Sequence, residues 1–152
     1  MEPFTSTGNY YLINHLTMIT GLSDRTIRNY IASGILKGEK INGIWHFSPE
    51  ETDQFLRNPA VMPSIQAKQN SIVYDFLIDR KKQHEETCII LDLPGHNAKS
   101  AAEYFCYAIS NSSCLNIRFS FDHTTGVPRV ILRGIYQDIM KLTNEYYRSV
   151  SM

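Results

Sequence analysis

Apolar residues keep helical spacing near the start of the chain. Tyr11, Leu12, Leu16 and Ile19 recur on one side up to Gly21, and after a short turn Ile27, Tyr30 and Ile31 share one face of a second segment. Ser23 carries the oxygen that caps a helix N-terminus, and Gly34 ends the second helix. The period then changes. "ILKGEKINGIWHF", residues 35–47, reads as two short strands about Asn42-Gly43, the dipeptide that most readily takes the positive φ angles of a tight hairpin. Next comes Ser48-Pro49-Glu50-Glu51, where Ser48 can cap, Pro49 suits the first helical position and Glu51 completes a capping box. A third helix is expected to end near Arg57.

Two prolines in "RNPAVMPSIQ", residues 57–66, interrupt the pattern and place a domain boundary after residue 58, with residues 59–84 as a linker and connecting helix. That helix is expected from Ile65 to Lys82, with Ile72, Val73, Phe76, Leu77 and Arg80 in one stripe. Its basic end, Arg80-Lys81-Lys82, suits the helix dipole. "TCIILDLPG" reads as a largely buried strand, and "NAKSAAEYFCYAIS" as a helix because Ala98, Ala101, Ala102, Phe105 and Ile109 fall on one side. Together they begin a crossover. "LNIRFSFD" alternates, with Leu115, Ile117, Phe119 and Phe121 against Asn116, Arg118, Ser120 and Asp122. "HTTGVP" turns the chain into "RVILRG", and a last helix from Ile135 carries Ile139, Leu142 and Tyr146. The fold class predicted is α+β, with residues 85–152 forming a small two-layer α/β sandwich on a three-stranded sheet.

At 152 residues, 43% hydrophobic and 20% charged, the chain is long enough for one ordinary domain or two small ones. Lys plus Arg equals Asp plus Glu at 15 each, so any nucleic-acid binding must come from local charge placement. Three cysteines, Cys88, Cys106 and Cys114, make an odd count in apolar surroundings, which suits reduced thiols in a cytoplasmic protein. "MEPFTSTGNYY" lacks a basic segment followed by an apolar run, and no stretch of about 18 apolar residues occurs, so neither secretion nor membrane spanning is expected.

Chemistry enters with the second helix. With Ile27 and Ile31 inward, steps of about 100° per residue turn Arg25, Arg28, Asn29 and Ala32 outward. Arginine can donate two bonds to guanine, asparagine can give and accept one each with adenine, and Ser23 or Thr26 can reach phosphate. The stretch "LTMITGLSDRTIRNYIASGIL" followed by "INGIWHFSPEE" resembles the winged helix-turn-helix of MerR-type regulators and excisionase-like DNA-binding domains. The resemblance rests on Gly21 and Ser23, on Thr26-Ile27-Arg28 and Tyr30, on Gly34-Ile35-Leu36, and on Asn42-Gly43, Trp45 and Phe47-Ser48. It implies a recognition helix over residues 24–33 in the major groove, read through Arg25, Arg28 and Asn29, and a wing over residues 37–47 on the backbone. Tyr30, Lys37 and Lys40 would be phosphate contacts, with Asn42 and His46 as further candidates on the wing. Where these families usually carry a wing arginine, Ile44, Trp45 and His46 stand instead. Trp45 either packs on the hairpin or stacks on a nucleotide, and packing is favoured between Ile44 and Phe47.

The expected partners are double-stranded DNA, a second copy of the chain and a small-molecule effector; no cofactor is expected. Long heptads are absent from the connecting helix, so the sheet is expected to supply much of a homodimer contact through its edges. Cys106 and Cys114, eight positions apart in number, read as structural thiols rather than a soft-metal site, because no basic neighbours lower their pKa. "LPGHNAKS" has a glycine turn before a helix, but Ala98 stands where a phosphate loop needs glycine, and Asn97 explains a capped start. Tyr104, Phe105, Tyr107, Tyr136, Tyr146 and Tyr147 line a core or a dimer contact, or else a pocket. His96, His123 and Asp92 have no nucleophile at supported spacing, so no enzyme is expected. The alternatives are an excisionase-like architectural factor and a protein-interaction module.

Overall fold

A computed structural model describes residues 10–111, 117–122 and 124–151. Its first half runs α1 (Ile13–Thr20), α2 (Asp24–Ala32), the hairpin β1 (Glu39–Ile41) and β2 (Ile44–His46), then α3 (Pro49–Arg57). The second half runs α4 (Met62–Ile78), β3 (Glu86–Asp92), α5 (Ala98–Ser110), β4 (Arg118–Asp122), β5 (Arg129–Ile135) and α6 (Tyr136–Val150). The fold is α+β, with one two-stranded and one three-stranded antiparallel sheet.

Local chemistry explains the element ends. Ser23 Oγ accepts the Thr26 N–H at 3.1 Å, which caps α2. Ser48 and Glu51 form the reciprocal capping box of α3, with Pro49 at its first position. Asn42 at φ 51° and Gly43 at φ 79° form the left-handed pair that lets β1 and β2 meet across two residues. Asn97 Oδ1 accepts the Ser100 N–H at 2.8 Å and starts α5.

Several elements depart from the sequence expectation. Tyr11 and Leu12 lie outside α1: Tyr11 pairs with Phe47 as an isolated β-bridge, donating at 2.7 Å and accepting at 2.9 Å. Burying these two aromatics together requires their backbones to be paired, and the bridge does this while tying the hairpin to the start of α1. The hairpin strands are three residues each, because the Ile35 and Leu36 N–H groups both donate to Tyr30 O and fold this connection back onto α2. α4 begins at Met62 and ends at Ile78, so Pro63 sits harmlessly in its first turn and Arg80-Lys81-Lys82 lies beyond its end. Lys82 still serves that end, reaching back to the Phe76 carbonyl at 2.8 Å. Leu115 and Asn116, at the start of the alternating segment, lie outside the described residues.

The larger sheet has the order β3-β5-β4. Both outer strands run antiparallel to β5, hence parallel to each other, and α5 is the crossover between them. Register places Ile89, Leu91, Phe119, Phe121, Val130 and Leu132 on one face, where Phe105 of α5 stacks on Phe119 at 6.1 Å and Ile139 of α6 closes over Gly134. The opposite face is also covered. Asp75 of α4 takes Arg118 at 2.9 Å, Asp79 just beyond α4 takes Arg133 at 3.1 Å, and the Arg133 guanidinium lies 5.5 Å from the Phe76 ring centre. Three layers therefore stand where two were expected, and Ser120 on the polar face is buried. β3 is an edge strand and only partly buried, not the largely buried strand the apolar run suggested; Ile90 is 50% exposed.

Buried side chains from both halves join in a single cluster that includes Leu16, Ile27, Phe47, Phe55, Phe105 and Tyr146. α1 packs along β4 and against α5, and Arg57 donates to the Thr124 carbonyl at 2.6 Å.

Candidate nucleic-acid interface

α2 is positioned by burial. Ile27 has no exposed surface, and the partly buried Tyr30 and Ile31 pack on the same cluster, which turns Arg25, Arg28 and Asn29 to solvent. Arg25 has no ion pair or hydrogen bond among the described residues. Arg28 is held by Asp24 at 2.6 Å, an exposed pair one helical turn apart. Such a pair is worth little, so a phosphate or guanine competes for Arg28 at small cost.

Ser23 and Thr26 differ from the arginines. Their hydroxyls lie 2.9 Å apart and Ser23 already caps α2, so both are engaged in shaping the helix start. Tyr30 is also partly committed: its ring meets Phe55 edge-on at 5.4 Å. Lys37 and Lys40 are exposed on the segment that leads into and forms β1. The Lys40 ammonium sits 5.8 Å over the Trp45 ring, a cation–π geometry that rests the lysine on the hairpin. Trp45 itself stacks near-parallel on Phe47 at 6.4 Å, so packing wins over an outward, nucleotide-ready ring. His46 is half-buried; its Nδ1 is 2.9 Å from Ile44 O and its ring meets Tyr10 edge-on. Asn42 is exposed at the hairpin tip between Ile41 and Ile44, which are also exposed.

Thus Arg25, Arg28 and Asn29 share an outward face, Lys37 and Asn42 are exposed on the hairpin side with Lys40 resting on Trp45, and Ser23, Thr26, Tyr30 and His46 have structural partners. No family model, curated protein or solved structure matches the chain. One contributor has no signal in the linear sequence. The stem of Lys68, in α4, crosses Gly21 with its Cβ 3.1 Å from where a Gly21 Cβ would stand, bringing an exposed lysine to the turn before α2.

The second half offers weaker chemistry. Burial pushes the Cys106 thiol well up, which keeps it protonated, and Cys88 is also pushed up by burial. Cys114 and His123 lie outside the described residues, and among those described no three His, Cys, Asp or Glu side chains gather as a metal site. His96 Nδ1 meets the Tyr146 hydroxyl at 2.7 Å, and Asp92 is clamped by Arg129 at 2.6 and 3.0 Å, which lowers its pKa. The aromatic set divides: Phe105 and Tyr146 are buried beside the half-buried Tyr104, while Tyr107, Tyr136 and Tyr147 are exposed. No described helix is long and apolar enough to cross a membrane.

Proposed function

We propose that the protein is a DNA-binding transcriptional regulator built on a winged helix-turn-helix, acting as a homodimer on double-stranded DNA in the cytoplasm. Residues 24–33 lie in the major groove and residues 37–47 grip the backbone, as the resemblance to MerR-type regulators implies. The observation that carries this is the division of α2: Ile27 is fully buried while Arg25, Arg28 and Asn29 together face solvent, with Arg25 free of any described partner. An anchored helix with a free guanidinium and an amide is the arrangement that direct base reading requires.

Lysine supply limits the backbone grip. In the first 58 residues the cations are Arg25, Arg28, Lys37, Lys40 and Arg57, and Arg57 is already tied to Asp53 and Thr124. One copy therefore binds weakly, and two copies gain through effective concentration on a two-fold related site. The second half serves to pair copies and to take a small-molecule effector. An excisionase-like architectural role uses the same contacts. The exposed Ile41 and Ile44 at the hairpin tip favour a third use, as a protein-interaction module.

Titration of a selected duplex with wild type and with an Arg25→Ala, Arg28→Ala double variant tests the assignment. The variant is expected to lose more than tenfold in affinity, since each base contact contributes about 1–3 kcal/mol. Equal binding by both proteins overturns the groove assignment.

A further inference from the structure

We infer that β3 is the dimer seam, where the edge strands of two copies pair antiparallel about a two-fold axis at Ile90 and extend the sheet from three strands to six. The inference deepens the homodimer proposed above by naming its surface, and it rests on that reading.

Four observations carry it. First, among the described residues the β3 edge is open: α1 packs along β4, while no described backbone group bonds to the outer side of β3. A strand edge presents unpaired N–H and C=O groups, and proteins that stay monomeric usually blunt such an edge with charge, proline or a covering segment. The middle of β3, Thr87-Cys88-Ile89-Ile90-Leu91, carries none of these.

Second, β3 and the helix beside it carry exposed apolar side chains. Ile90 is 50% exposed, and Tyr74, Leu77 and Ile78 of α4 are 62%, 64% and 57% exposed. Val73, Tyr74 and Leu77 line a cleft of about 300 Å³ with Ile90 and Ile131, on the face that α4 covers. An apolar cleft opening onto an unpaired strand is a surface left for a partner.

Third, the occupant that fits is the same strand. An antiparallel pair about a two-fold axis lets one edge satisfy itself, as isologous contacts require. Fourth, charge selects the register. An axis at Ile89 sets Glu86 directly against Asp92 of the second copy, a like-charge pair that disfavours it. An axis at Ile90 sets Ile90 against Ile90, Ile89 against Leu91, and Asp92 against Cys88, whose neighbour on β5 is Arg133. That register separates Glu86 from Asp92 of the second copy and leaves the ion pairs Asp92–Arg129 and Arg133–Asp79 of each copy in place. α4 lies over β5, about one strand spacing of 4.8 Å inboard of β3, so Tyr74 and Leu77 of each copy border the Ile90 pair on that face.

Light scattering on the full chain without DNA, from micromolar to hundreds of micromolar, tests this with wild type, Ile90→Lys and Leu77→Glu. Both substitutions are at exposed positions, and circular dichroism verifies that each variant folds. Wild type is expected at twice the monomer mass and both variants at the monomer mass. A wild-type monomer throughout overturns the seam together with the homodimer, whatever DNA does. A wild-type dimer with both folded variants still dimeric overturns the seam alone.

Discussion

His15 lies on the buried side of α1 with 1% of its surface exposed, and its Nδ1 accepts the Leu12 N–H at 3.0 Å. Desolvation lowers its pKa from 6.5 to about 4, and a ring nitrogen that must accept a backbone N–H is consistent with the neutral form. The unfolded chain binds this proton more readily than the folded one. Its contribution to stability is therefore complete above about pH 6.5 and is lost as pH falls toward 4; between pH 7.5 and 5 the loss is about 2 kcal/mol. Urea unfolding at the two pH values is expected to show this loss in wild type and not in His15→Gln; the same loss in both would assign it to other groups. Residue by residue, the outward positions of Arg25, Arg28 and Asn29 were legible because they follow from helical period alone. The pairing of Arg28 with Asp24 was not foreseen although they stand only four positions apart, and Lys68 at Gly21 was hidden because its approach depends on how α4 packs.

At the scale of elements, caps and turns were the most legible because their chemistry is local. Ser23, Asn42-Gly43, Ser48-Pro49-Glu51 and Asn97 each act through neighbours within a few positions. The ends of α4 were less so. Its C-terminal boundary at Ile78 leaves Asp79 free to meet Arg133 from β5, a partner 54 positions away. The hairpin also hides a constraint at Gly38. A Cβ there would stand 2.5 Å from the Phe47 ring and 2.9 Å from the His46 carbonyl, at and just beyond the end of β2. Because Phe47 is fully buried and bridged to Tyr11, the ring has little room to yield. Gly38→Ala is expected to destabilise the protein by about 2 kcal/mol, as overpacking of a filled site does. A denaturation midpoint matching wild type would show that the hairpin relaxes instead.

For the whole molecule, hydrophobic pattern established that the second half holds a sheet with helices, and the alternation in β4 separated an apolar face from a polar one. It did not reveal that α4 covers the polar face, because the alternation that puts Arg118 on that face does not show Asp75 above it, nor Asp79 above Arg133. Nor did it reveal that α1 lies against β4, since the cluster containing Leu16, Phe105 and Tyr146 is formed by residues far apart in the chain. That continuity matters for function: the helix that carries Arg25 is anchored on the same core as the sheet whose open edge is proposed to pair two copies. A paired molecule presents two α2 helices, and two helices read a site with two-fold symmetry. The central claim is that this pair reads duplex DNA by sequence, and selection from random duplex DNA at low salt tests it most directly. Enrichment of an inverted repeat, with affinity that falls as salt rises through counterion release, is the predicted result. Recovery of no preferred sequence at low salt would contradict it.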